Sequence, residues 1–184
     1  MKTRWAYWAA WILWAEWSFA GAQSSSLLLN GGFEEDTSPA WGATGTALRL
    51  ERGNWHPHAG RWSFGIGNDE GMPDADGAIT QEVPAPEGVT VGKKCFFSIW
   101  MMKEPNFSGV FSLKLEFLDE EGQTLREVSR PAGTAVRQEW QMARVFGVVP
   151  AGTRRIRVAC TSERMKSGTG QSFVWIDDAA LTIE

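Results

Sequence analysis

Cysteine, histidine and tyrosine are scarce here: the 184 residues contain two, two and one of them. The two histidines, His56 and His58, flank Pro57 in a single stretch, and a zinc site completed by Asp69 or Asp74 has no spacing motif behind it. Two cysteines exclude a disulfide-dense scaffold. Cys95 and Cys160 both sit in strand-like runs, and the sequence leaves open whether they form one bridge or stay as two buried thiols. Gly-x-Ser-x-Gly elbows, His-Glu-x-x-His helices and phosphate loops are missing, so no catalytic residue is expected. Charge of one sign is also scant. Lys and Arg number 18 against 22 Asp and Glu, a net charge of -4, which leaves no electrostatic footprint for nucleic acid.

Long apolar runs are confined to the start. Residues 1–22 open with Lys2 and Arg4, continue through an apolar stretch and end in Ala20-Gly21-Ala22, the pattern of a secretory signal peptide. The run is interrupted by Glu16 and is too short for a spanning helix, so cleavage after Ala22 and no stable membrane insertion are expected. Five tryptophans (Trp5, Trp8, Trp11, Trp14, Trp17) recur every third residue there and read as bulk in a discarded leader. Residues 23–184 are then one domain, secreted, periplasmic or at the cell surface, and expected to be a monomer.

From Ser24 onward, short β-like runs alternate with Gly, Pro, Asn and Asp clusters, and no helical period is evident. Strands are expected near 27–30, 46–52, 61–67, 77–83, 94–103, 110–118, 124–129, 138–149, 154–161 and 172–183. Such spacing predicts an all-β antiparallel sandwich of the jelly-roll kind. In Phe111-Ser112-Leu113-Lys114-Leu115-Glu116-Phe117 every second side chain is apolar, and Asp119-Glu120-Glu121-Gly122 turns the chain into the next strand. Phe173, Trp175, Asp177, Leu181 and Ile183 share a parity in the last strand, which places Asp177 on the apolar side, where a carboxylate needs a partner or a metal. The acidic stretch 68–77 lacks the ligand register of an EF-hand and reads as a solvated loop.

Two motifs lie at opposite ends of the domain: Asn30-Gly31-Gly32-Phe33-Glu34 and Trp175-Ile176-Asp177-Asp178. If the fold sets its termini side by side, their carboxylates could clamp one hard cation such as calcium. Between them come Trp41, His58-Ala59-Gly60-Arg61-Trp62-Ser63, Ala78-Ile79-Thr80-Gln81-Glu82-Val83, Gly92-Lys93-Lys94-Cys95-Phe96-Phe97-Ser98-Ile99-Trp100, Glu139-Trp140-Gln141 and Val149-Pro150-Ala151-Gly152. In this order the set resembles secreted jelly-roll carbohydrate-binding modules of the family 4, 9 and 22 type, with a galactose-binding-domain-like sandwich. The resemblance implies a structural calcium ion with Glu34 and Asp177 as side-chain ligands and backbone carbonyls near Gly32, Gly60 and Arg61 completing the shell. It also implies that Trp41, Trp62, Trp140 and Trp175 are buried framework.

A saccharide ligand, polysaccharide or oligosaccharide, would stack on exposed aromatic faces. Trp55 lies in a polar, turn-rich stretch with no alternation to bury it and is the leading platform. Trp100 could line the concave face or the core, and Phe107 is a third candidate at a loop tip. The expected function is therefore a non-catalytic carbohydrate-binding domain. The alternative is a structural or adhesive envelope module that binds protein rather than sugar.

Overall fold

The computed structural model describes residues 25–36, 40–45, 49–71, 73–88, 91–132, 138–165 and 172–184. The expected leader, residues 1–22, lies outside them. Ten strands appear in chain order: β1 (Gly42–Gly45), β2 (Arg49–Gly53), β3 (Ser63–Asn68), β4 (Ala75–Pro84), β5 (Lys94–Lys103), β6 (Val110–Leu118), β7 (Thr124–Pro131), β8 (Gln141–Val148), β9 (Arg155–Met165) and β10 (Ser172–Ile183). They form two five-stranded antiparallel sheets, the first in order β1-β4-β9-β6-β7 and the second β2-β3-β10-β5-β8. The expected all-β sandwich is thus the observed fold. Among the described residues no helix is long and apolar enough to cross a membrane.

Strict alternation explains which strand faces meet. In β5, Cys95, Phe97, Ile99 and Met101 are buried between the sheets, facing Leu113, Leu115 and Phe117 of β6 and Ile156, Val158 and Cys160 of β9 in one core. Large apolar side chains of this kind each contribute about 1.5–3 kcal/mol on burial. Both cysteines are free thiols on opposing sheets, and burial raises both pKa values, that of Cys95 to about 12. They act as small apolar core residues, not as a bridge.

Three expectations need correction. The run 27–30 is no strand; Leu27 N–H donates to Leu181 O, while Leu29 is held by the Gln81 amide, which accepts from Leu29 N–H and donates to Leu29 O. Strand β1 has no counterpart among the expected strands, because Gly42-Ala43-Thr44-Gly45 has no apolar alternation and is exposed throughout. Most consequential is the last strand. β10 pairs Asp177 with Trp100 but Ala180 with Ser98, so one extra residue bulges from the ladder, with Asp178 at φ 47°. The bulge swaps parity. Val174 and Ile176 face the core before it, Ala179 and Leu181 after it. Phe173, Trp175 and Asp177 therefore lie on the outer face of the second sheet, opposite to Leu181 and Ile183.

Candidate functional site: an aromatic outer face joined to a carboxylate cluster

The fold does bring the termini together. Ala179 N–H donates to Gly31 O, and the Asn30 side chain closes its own loop by pairing with Glu35 N–H and O. Arg52 clamps the same loop: Nε donates to Phe33 O, Nη2 to Glu34 O, and the guanidinium lies 4.0 Å over the Trp62 ring. A Cβ on Gly32 would touch Asp178 Oδ1, Glu34 Cγ and Asp177 Oδ1, so this glycine sits where the three acid side chains meet.

Glu34 and Asp177 hold opposite ends of one short segment. Glu34 Oε1 accepts from Arg61 N–H (2.9 Å) and Trp62 N–H (3.0 Å). Gly60, at φ +62°, packs so tightly on this carboxylate that a Cβ would collide with it. Arg61 thus meets Glu34 through its N–H. Asp177, fully buried, accepts from His58 N–H (2.9 Å) and Ala59 N–H (3.2 Å) through Oδ2, and from Asp178 N–H (2.7 Å) through Oδ1.

The two acids titrate in opposite senses. The backbone N–H groups of Arg61 and Trp62 lower the Glu34 pKa. Burial, reinforced by the neighbouring Asp178 charge, raises that of Asp177 to about 6 against the pull of its hydrogen bonds. Its oxygens are met by N–H groups. Among the described residues no three His, Cys, Asp or Glu side chains are disposed to hold a metal.

The same segment carries aromatic rings onto the outer face of the second sheet. His58 stacks on Trp100 (4.1 Å, 17°), meets Trp140 edge-on (5.4 Å) and bonds Asp178 Oδ2 through Nδ1 (2.7 Å). Trp55 and His56 lean on Trp175 at 5.7 and 5.5 Å, and Trp175 stacks on Phe173 at 5.4 Å. Phe173 and Trp175 lie flat across β3 because Gly65 and Gly67 leave room: a Cβ there would come within 2.8 Å of Trp175 and 2.5 Å of Phe173. Trp175 Nε1 donates to Glu104 Oε1 (2.8 Å), which fixes the ring. With Met102 these rings form a second, smaller apolar cluster outside the main core.

The expected ligand residues fare differently. Trp55 is 59% exposed, with its inner side packed on Gly53, as a platform requires. Trp100 lies on the outer face of β5, but the His58 ring covers it. Phe107 is not a free loop tip: it packs against the main core, with Lys103 Nζ 5.3 Å from its ring. Trp41 and Trp175 are buried as expected, Trp41 in the main core and Trp175 in the outer cluster, whereas Trp62 and Trp140 are half-buried. His58, Asp178 and Phe173 were missed as site residues. Their only signal was proximity to Trp55 and Asp177 in sequence.

Further along this face Arg144 lies 3.9 Å over Phe96, beside Phe146, and Met142 and Phe146 are 57% and 54% exposed. Concavities also lie elsewhere among the described residues. One of about 1290 Å³ runs between Leu29, Glu34 and the end of β4, and one of about 290 Å³ opens at the β7–β8 edge between Leu113 and Gln141; neither is lined by Trp55.

No family model matches the sequence, and no curated protein matches it significantly. Solved structures do. The module TmCBM61, determined in complex with β-1,4-galactotriose, superposes with a TM-score of 0.59 at 24% identity over 88% of this chain and 100% of that one. The CBM22-1 xylan-binding domain from Paenibacillus barcinonensis Xyn10C gives 0.55 at 13% identity, over 87% and 95%. The enzymatically active domain of Bacteriophage CBA120 tailspike protein 4 gives 0.66 at 16% identity, over 86% of this chain but only 21% of that one. At these identities the likeness is one of fold: the chain has the jelly-roll β-sandwich of carbohydrate-binding modules, as its motif order implied.

Proposed function

We propose that this protein is a secreted, non-catalytic carbohydrate-binding domain that holds an oligosaccharide or polysaccharide by stacking on Trp55. One observation carries the reading: an indole 59% exposed, seated on the Gly53 backbone and braced by Trp175. A ring held this way loses little freedom when a pyranose C–H face covers it, so stacking is not offset by ordering cost. Trp100 contributes by supporting His58, and Phe107 by filling the core beneath the β5–β6 loop. The fold likeness to a galactotriose-bound and a xylan-binding module favours the same ligand class. Calcium at Glu34 and Asp177, completed by carbonyl oxygens around Gly32, Gly60 and Arg61, would neutralise the buried acid and tie the first loop to the last strand.

The test is a glycan array, including β-1,4-galactotriose, probed with the wild-type protein and Trp55→Ala in calcium. Binding lost in the variant, with its melting temperature within about 2 °C of wild type, is the expected result. A folded wild type that binds no glycan would move the reading to a protein-binding envelope module, for which the exposed Met142 and Phe146 on the same face would be the contact.

A further inference from the structure

We propose that Arg144 selects an acidic saccharide: laid on Phe96 at the β5–β8 side of the outer face, its guanidinium takes the carboxylate of a uronic acid residue in a glycan whose other part stacks on Trp55. The inference rests on the saccharide reading of the Trp55 face and adds to it the ligand's charge and length. Strands β5 and β8, residues 94–103 and 141–148, carry Lys94, Lys103 and Arg144 and no Asp or Glu, in a protein whose net charge is -4. Their pairing sets Phe96 opposite Phe146, Ser98 opposite Arg144 and Trp100 opposite Met142, on the face turned away from the core. The Arg144 guanidinium lies 3.9 Å over the Phe96 ring, and that ring meets Phe146 at 5.8 Å.

Among the described residues no carboxylate pairs with Arg144, whereas Arg155 and Arg157 share Glu82 on the first sheet. The acids of β10 lie on the far side of β5, about 10 Å from β8, and are engaged there. Asp177 accepts from backbone N–H groups, Asp178 meets His58, and Glu184 stands opposite Lys94. A guanidinium in this state is prepared for one class of partner. The ring beneath fixes its plane, and its N–H groups face water. Planar donors in a rigid fork match a carboxylate with two parallel bonds, each about twice as strong as the bond a sugar hydroxyl would make. Met142 and Phe146, both exposed beside it, offer apolar surface to sugar C–H groups.

The register gives the reach. Trp175, on which Trp55 leans, is opposite Met102, and Arg144 is opposite Ser98. Four residues along β5 and two strands across separate Trp175 from Arg144 by about 16 Å. No single sugar ring covers that span, so the two contacts together select an oligosaccharide with a neutral residue on Trp55 and an acidic one over β8. Asp177 and Asp178, which lie on the Trp55 side, repel an anion and disfavour the reverse placement.

The test is calorimetry on the full chain with galacturonate and glucuronate oligosaccharides of increasing length, each beside its methyl ester, for wild type, Arg144→Gln, Arg144→Lys and Trp55→Ala. Wild type should bind the longer acids about tenfold more tightly than their esters. This preference should shrink as sodium chloride is added. Arg144→Gln should bring the acid's affinity down to within about twofold of the ester's, and Arg144→Lys, which keeps the charge but not the fork, should retain only part of the preference. The acid-to-ester ratio and its salt dependence are read on the wild type, so a variant that folds poorly does not shield the proposal. Equal binding of acid and ester, or a preference that survives Arg144→Gln, overturns the inference and leaves the Trp55 reading standing where Trp55→Ala abolishes binding. Acid binding that is lost in Arg144→Gln but kept in Trp55→Ala defeats the Trp55 reading and upholds the Arg144 contact. A wild type that binds neither acid nor ester overturns the inference, and Met142 and Phe146 then fall to a protein partner.

Discussion

The outer faces of the two sheets have the same architecture and opposite chemistry. On the first sheet Glu82 reaches Arg155 (2.7 Å) and Arg157 (2.8 Å), Arg157 reaches Glu116 (3.5 Å), and Lys114 reaches Glu127 (3.4 Å). These charges are solvated, paired across neighbouring strands and satisfied among themselves. On the second sheet the corresponding positions carry Phe96, Trp100, Met102, Met142, Phe146, Phe173 and Trp175, only some of them covered by the 54–62 segment. A face that satisfies its own groups has nothing to gain from a ligand. One that leaves an indole, a thioether and a phenyl ring in water does.

The comparison is broken most severely at the acid that secures the covering segment. Asp177→Ala would strand three N–H groups, at about 1–3 kcal/mol each if none finds water. A loss on the order of 3 kcal/mol is expected from denaturant melts. Asp177→Asn, which keeps an acceptor oxygen, should cost less than half of that and should remove stabilisation by calcium. A melt of the alanine variant indistinguishable from wild type would refute the anchoring role.

Next in size is the aromatic layer itself. Gly67→Val places side-chain atoms where the Phe173 ring lies, since even a Cβ at this position would stand 2.5 Å from it, and should destabilise by about 1–3 kcal/mol through overpacking. It should also raise tryptophan exposure, as read by acrylamide quenching. Unchanged quenching would show that the rings do not rest on β3.

A smaller effect follows from pH. The folded state binds the Asp177 proton more tightly than the unfolded chain, because its pKa stands at about 6 against an ordinary 3.8. Without divalent cations, stability should therefore rise by about 1 kcal/mol as pH falls from 7 to 5. Glu34, whose pKa is lowered, acts in the other direction, but only as pH falls through and below its ordinary 4.5. Calcium should cancel the gain by stabilising the ionised acid. Stability in EDTA that falls between pH 7 and 5 would contradict the assignment.

The smallest effect belongs to the ionic face. Glu82→Gln removes a carboxylate shared by two arginines in a partly exposed network and should cost at most about 1 kcal/mol, with no change in glycan binding. A change in binding would relocate the site to the first sheet.

Much of the sandwich was legible before folding. Strands β5 and β6 end where apolar alternation ends, because a half-buried strand must place every second side chain in the core. Strand β1 has no such pattern, and its pairing with β4 is a backbone matter. At the site, Trp55, Glu34 and Asp177 were identifiable as a ring without a burying pattern and two carboxylates in apolar motifs. His58 was not, since two histidines flanking a proline in a turn-rich stretch give no hint of the ring that one of them will cover.

What the amino-acid order determined by itself was the fold class, one core of alternating apolar residues and the acid-bearing motifs at the two ends. Only the tertiary structure decided which side those residues face. The bulge at Asp178 reverses the parity of β10, so Trp175 and Asp177 leave the side of Leu181 and join Trp55, His58 and Trp100 on the outer face. Parity along a strand is a local rule, whereas a bulge depends on the partner strand against which the extra residue is counted.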